Sequence, residues 1–231
     1  MITITPFADL GRAEHGWLSA RFHFSFAEYV DPNRMGFGPL RVWNDDLIRS
    51  GGGFPMHPHR DMEIITYIRQ GAVSHEDNLG HQGKTEAGDI QVMSAGRGII
   101  HSEYNHEDED LRLFQIWVQP HTRHLEPRWE STTFPRGDRR GRLVPVASGQ
   151  GIPDTLMIHQ DATLYAADLA EGDEVIHDLV PGRRAYLVPA RGSVSINGES
   201  VGERDGAAVR DVDKLRIVAV KDAELLLFDL P

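Results

Sequence analysis

A chain of 231 residues has room for one large domain or two of ordinary size, and 40% hydrophobic with 26% charged residues is the balance of a folded globular protein. A formal net charge of −11 argues against broad binding to DNA, RNA or anionic membrane surfaces. With no cysteine in the chain, disulfides, thiolate metal sites and cysteine nucleophiles are excluded.

The opening residues, Met1-Ile-Thr-Ile-Thr-Pro, lack the basic flank and apolar core of a signal peptide. No apolar stretch approaches the roughly 20 residues that span a bilayer, so a cytoplasmic protein is expected. Asn44-Asp45-Asp46 has the composition of a turn with solvated carboxylates. The first chemically telling run is His57-Pro58-His59, preceded by glycines. On a strand, residues i and i+2 share a face, so both imidazoles point one way, about 7 Å apart along the backbone.

Short runs rich in β-branched and aromatic residues follow: Glu63-Ile-Ile-Thr-Tyr-Ile68, Asp89-Ile-Gln-Val-Met93 and Leu113-Phe-Gln-Ile-Trp-Val118. Between the last two lies His101-Ser102-Glu103, the same spacing with an imidazole and a carboxylate. Two such pairs on facing strands supply convergent nitrogen and oxygen ligands for one metal ion, with positions left open for water, O₂ or a substrate oxygen. On a continuous strand, parity also allows Glu63 as a ligand. His75 and Asp77 are candidates to line the pocket or a solvated strand end. Phe37, Phe54, Phe114 and Trp117 could form a flat apolar mouth, with Phe37 and Phe54, beside glycines, the better candidates for substrate binding. His15, His81, His106, His121 and His124 lie in polar or turn contexts and read as surface groups.

Periodicity fades between Pro127 and Gly149, which reads as a crossover between two β domains, 1–135 and 136–231. Strand-like runs resume at Ala185-Tyr-Leu-Val188, Ser193-Val-Ser-Ile196, Leu215-Arg-Ile-Val-Ala-Val220 and Glu224-Leu-Leu-Leu-Phe228. No long, capped amphipathic helix is visible, so the chain is expected to be all-β, a sandwich or barrel. Tyr67-Ile-Arg-Gln-Gly71-Ala-Val-Ser74 and Leu187-Val-Pro-Ala-Arg-Gly192-Ser-Val-Ser195 look alike, which suggests a duplicated barrel. The second half has no His-x-His; His177 stands alone there, so only the first barrel is expected to bind metal.

Gly51-x5-His57-x-His59-x3-Glu63-x7-Gly71 resembles the first cupin motif, with one extra residue before the last glycine. Gly88-x7-Gly96-x4-His101-x3-Asn105 resembles the second, with Ser94 where proline is usual and two extra residues before the histidine. The chain further resembles the pirin family through His23-Phe-Ser-Phe-Ala-Glu-Tyr29, Met35-Gly-Phe-Gly-Pro-Leu-Arg-Val-Trp-Asn-Asp-Asp46, Gly53-Phe-Pro-Met-His-Pro-His-Arg-Asp-Met-Glu-Ile65, His75-Glu-Asp77 and Met93-Ser-Ala-Gly-Arg-Gly-Ile-Ile-His-Ser-Glu103. The likeness continues more thinly through Ile158-His-Gln-Asp161 to Leu225-Leu-Leu-Phe-Asp-Leu230.

That resemblance implies a bicupin of two jelly-roll barrels (the double-stranded β-helix) with few short helices. It implies metal ligation by His57, His59, His101 and Glu103, which leaves Glu63 as a group that orients a ligand imidazole or as a strand charge. It also implies flavonol 2,4-dioxygenation, the quercetin 2,3-dioxygenase activity, with one divalent cation, Fe(II); the donor set also accepts Zn, Co, Mn, Ni or Cu. Glu103 is the candidate catalytic base. The implied partners are a flavonol or other enolizable small molecule and O₂, with the chain a monomer. Some proteins of this resemblance act instead as metal-binding regulators through protein contacts.

Overall fold

The computed structural model describes residues 1–134 and 136–231. In chain order its strands are β1 (Ile2–Thr5), β2 (Gly11–Glu14), β3 (Leu18–Phe22), β4 (Leu40–Ile48), β5 (Gly53–His59), β6 (Glu63–Gln70), β7 (Ala72–Asp77), β8 (Gln82–Glu86), β9 (Ile90–Ser94), β10 (Ile99–Tyr104), β11 (Leu111–Val118) and β12 (Arg128–Thr132). They continue with β13 (Val144–Ser148), β14 (Leu156–Met157), β15 (Thr163–Leu169), β16 (Glu174–Asp178), β17 (Arg184–Arg191), β18 (Val194–Ile196), β19 (Glu199–Val201), β20 (Gly206–Val209), β21 (Lys214–Ala219) and β22 (Ala223–Leu230). Helix among the described residues is limited to two 3₁₀ turns, Phe7–Asp9 and Arg136–Arg139. Each strand expected from the pattern is present, and no helix is long and apolar enough to cross a membrane.

The chain forms two compact units. One holds residues 11–134 and 156–160; the other holds residues 1–10, 136–155 and 161–231. The first ten residues therefore go with the C-terminal half, whereas the sequence assigns them to the N-terminal domain. The reason is a non-local pairing: β1 runs antiparallel to β20, Ile2 opposite Val209 and Thr5 opposite Gly206. Pro135, at the expected boundary, lies outside the described residues. The low-periodicity stretch 127–149 is not bare linker, since β12 pairs β9 and β13 pairs β15.

Each unit contains two antiparallel sheets that are hydrogen-bonded separately, the two-sheet form of the expected jelly roll rather than a closed barrel. In the first unit the large sheet runs β12-β9-β6-β11-β4-β3-β2 and the small one β5-β10-β7-β8. In the second they run β1-β20-β17-β22-β15-β13 and β16-β21-β18-β19. Interior strands such as β6, β11 and β22 are covered on both faces, so they read as nearly continuous apolar runs. In the first unit Ile48, Ile68, Leu111 and Leu113 of the large sheet share a core with Val73 of the small one. The tight turns after β6 and β17, alike in sequence, use Gly71 and Gly192 at φ of 74° and 73°. A side chain at Gly192 would meet the Asp222 carbonyl at 2.0 Å, so only glycine fits there.

Candidate metal centre

β5 is the edge of its sheet, which is why it tolerates Pro55 and Pro58: a missing N–H costs nothing where no ladder partner waits. It pairs β10 with His57 opposite His101 and His59 opposite Ile99. Beyond His57 the register slips, Glu103 facing Phe54, so β5 spends one extra residue there. Such a bulge bends the strand and re-aims its side chains. The rings of His57, His59 and His101 converge, with centroids 4.7, 4.5 and 4.9 Å apart in the three pairs. One donor nitrogen from each lies within 4.8 Å of the others.

The surrounding hydrogen bonds set which nitrogen each ring offers. His57 Nδ1–H donates to the Pro55 carbonyl at 2.8 Å, leaving Nε2 as the lone pair. His101 Nε2 is buried with no hydrogen-bond partner, while its Nδ1 lies 3.4 Å from His75 Nδ1. His75 donates from Nε2 to Asp77 Oδ2 at 3.1 Å, so its Nδ1 can accept from His101 Nδ1–H. Asp77 also accepts from His81 Nδ1 at 2.9 Å and from the backbone N–H groups of Leu79 and His81. Burial pushes Asp77 up, but these bonds outweigh it and hold its carboxyl below the usual range. His75 also stacks on Trp129 at 4.7 Å and 8°. The chain Asp77–His75–His101 thus orients the third imidazole, and His75 and Asp77 stand buried behind it rather than at a solvated strand end. Burial, then His57 beside it, brings the His59 imidazole down to about 4. Burial, then His57, His59 and His75 around it, brings His101 down to about 2. Both are neutral donors near pH 7.

Glu103 is buried on β10, with its carboxylate held by three partners: Gln91 Nε2 donates at 2.6 Å, Gln115 Nε2 at 2.8 Å and Thr66 Oγ1 at 3.3 Å. Burial nonetheless pushes it up to about 7. With His75 and His101 it forms a second group of donors within 4.8 Å. Those three partners were not expected from sequence. They lie in one row across the large sheet, Gln91 opposite Thr66, Thr66 opposite Gln115 and Gln115 opposite Asn44. Each is a polar residue flanked on both sides by apolar or aromatic ones within its strand, the one signal that could have found them.

Several expected residues fall elsewhere. Glu63 accepts from Ser94 Oγ at 2.8 Å and from the His159 backbone N–H at 3.1 Å, not from a ligand imidazole. The continuous strand that would align it with His59 is broken by the turn at Asp61, whose φ is 49°. Phe37 and Phe114 are buried in the core, Phe114 beneath the Arg69 guanidinium at 4.5 Å. Neither lines the cavity that holds the histidines. That cavity, of about 470 Å³, is walled by Trp17, Phe22, Phe26, Phe54, Ile64 and Trp117 and also reaches His15. Trp17 meets Phe54 edge to face at 5.1 Å, and Trp117 meets His59 at 4.9 Å. Asn44-Asp45-Asp46 is no turn. It is the middle of β4, with Asp45 paired to Arg69 while Asn44 and Asp46 line the cavity.

Three converging imidazoles, one with an orphaned buried nitrogen, beside a buried carboxylate fit a divalent first-row cation. The profile named Pirin matches residues 6–118, and that of the quercetinase C-terminal cupin domain matches residues 145–230. A pirin-like protein of Caulobacter vibrioides is 53% identical, covering 99% of each chain. The quercetin 2,3-dioxygenase of Escherichia coli K12 is 42% identical over 100% of this chain and 99% of its own. The crystal structure of the Escherichia coli bacterial pirin YhhW in complex with nickel(II) superposes with a TM-score of 0.95 at 43% identity, covering 100% of this chain and 99% of that one.

Proposed function

The chain belongs to the pirin family, and from that premise we propose that it is a metal-dependent dioxygenase that opens flavonols such as quercetin with O₂ and releases carbon monoxide. The observation that carries the reading is the convergence of His57, His59 and His101 in an aromatic-walled cavity of a volume suited to one small ligand. We take His57, His59, His101 and Glu103 as the residues that hold the cation, with Fe(II) as the native metal. Once bound, the cation supplies the Lewis acidity that lowers the pKa of the flavonol 3-hydroxyl.

The remaining work falls to the chain. Trp17, Phe54 and Trp117 line the cavity with apolar ring surface against which the flavonol rings can pack. Glu103 takes the 3-hydroxyl proton. A carboxylate pushed up to about 7 is matched to that task near neutral pH, and the Gln91 and Gln115 amides hold it in place. The deprotonated flavonol is electron-rich and reacts with O₂; ring opening yields a depside and carbon monoxide.

The test is aerobic turnover of quercetin by iron-loaded protein, following flavonol absorbance and carbon monoxide together. We expect Glu103→Gln to keep the fold and much of the metal while turnover falls at least about 100-fold. His59→Ala should lose metal and turnover together. Absorbance loss without carbon monoxide would overturn the dioxygenase reading, and no turnover at full iron occupancy would point to a regulatory protein-binding role.

A further inference from the structure

We propose that Asn44 and Asp46 are a recognition pair for ring hydroxyl groups of a planar aromatic substrate in the histidine cavity. The inference rests on the flavonol reading for the class of ligand, but its residues play no part in that reading.

β4 is an interior strand, paired to β3 on one side and β11 on the other. Residues 44 and 46 share a face by parity, and both line the cavity; Asp45 points to the other face and pairs with Arg69. Both side chains are buried, and the Oδ1 atom of each has no hydrogen-bond partner in the protein among the described residues. Buried polar oxygens are rarely left so, because the fold gains nothing from them. The contrast with their neighbours is direct. Asn44 ends the row Gln91–Thr66–Gln115, whose other three members spend their polar atoms on one another, on Glu103 and on Thr85. Asp46 faces Ala20 and Leu113 across the sheet, and neither can answer it.

The chemistry of the pair is matched to neutral oxygen substituents. Burial, then the Asp45 and Glu103 charges, push the Asp46 carboxyl well above the usual range, against the pull of Arg69. The Asn44 amide can donate or accept, and the Asp46 carboxyl offers acceptor oxygens to a hydroxyl. Apart from the histidines, Glu103 and Gln115, the rest of the wall is aromatic or aliphatic. Ligand oxygens away from the histidines and Glu103 therefore meet uncommitted polar atoms at Asn44, at Asp46 and at the Trp117 indole N–H, which is also buried without a partner.

The experiment compares quercetin with unsubstituted flavone, which has the same ring frame without hydroxyls, by fluorescence titration of metal-loaded protein. Asn44→Leu and Asp46→Leu should weaken quercetin at least about tenfold relative to flavone, and Asp46→Asn, which keeps an acceptor oxygen, should restore the preference. Metal content should not change, and the apo Tm of both leucine variants should rise. Equal loss for both probes, or an unchanged preference with a fallen Tm, would overturn the proposal in favour of a structural role. If wild-type protein binds neither probe, the flavonol reading fails. The Tm then decides alone: a rise supports a pair kept for another oxygenated ligand, and a fall rejects it.

Discussion

The two units share one sheet order and put opposite things inside it. In the small sheet of the first unit His57 faces His101, and two residues further along the strand stands Glu103. In the second unit the corresponding pair is His177 facing Leu215, with Ile217 two residues further along. The large sheets differ in the same way. A row across β9, β6, β11 and β4 reads Gln91–Thr66–Gln115–Asn44. A row across β20, β17, β22 and β15 reads Ala207–Leu187–Leu227–Tyr165. Leu215, Ile217, Leu187 and Leu227 belong to one continuous core in the second unit, so its interior is filled. His177 is held by Asp229 at 2.8 Å, and Arg183 occupies the other carboxylate oxygen. A handful of inward side chains thus converts one framework from a packed core into a chamber. The chamber costs packing and is offset only where its polar groups answer one another.

Substitutions that copy one unit into the other test that reading. His101→Leu, which installs the residue of the filled unit, should abolish metal binding by elemental analysis. Apo stability to urea should change by less than about 1 kcal/mol, since the orphaned Nε2 goes but the buried His75 Nδ1 loses its donor. Ile217→Ala, which hollows the filled unit, should cost roughly 2–5 kcal/mol in the same assay without restoring a metal.

Acid should loosen the metal through Glu103. Its folded-state pKa is raised to about 7, so below that pH a proton occupies the carboxylate and must be displaced. Affinity should fall about tenfold per pH unit from 7 towards 5, and Glu103→Gln should flatten that slope in a competition titration. His59, at about 4, and His101, at about 2, stay neutral across this window and add nothing to it. Asp77→Asn should weaken metal binding about 10- to 100-fold by loosening the His75–His101 pair. Long-range ¹⁵N NMR of the apo variant should show His101 losing its single tautomer. The smallest expected effect is His177→Gln, which should leave metal stoichiometry and affinity untouched.

The features legible in the sequence are the local ones. His57-x-His59 and His101-x-Glu103 were readable because period two puts each pair on one face. The supports of Glu103 were not readable, because Thr66, Gln91 and Gln115 come from three strands and meet only through register. Asn44-Asp45-Asp46 was misread as a turn. Its composition favours one, but Arg69 neutralises the middle residue and the cavity accepts the outer two. Parity alone also allowed Glu63 as a ligand, because the sequence does not reveal the left-handed residue, Asp61, that interrupts the count.

The pairing of β1 with β20 has a consequence in time. Phe7 N–H donates to Asp205 across 198 residues of chain, and the Met1 ammonium reaches the Arg210 carbonyl across 209. At a synthesis rate of about 5–20 residues per second, the first strand waits roughly 10–40 s for its partner to be made. All the histidines of the metal centre leave the ribosome within that interval. The unit that holds them can therefore fold as an insertion inside a domain that is still unfinished, and β1 is among the last strands to find its place.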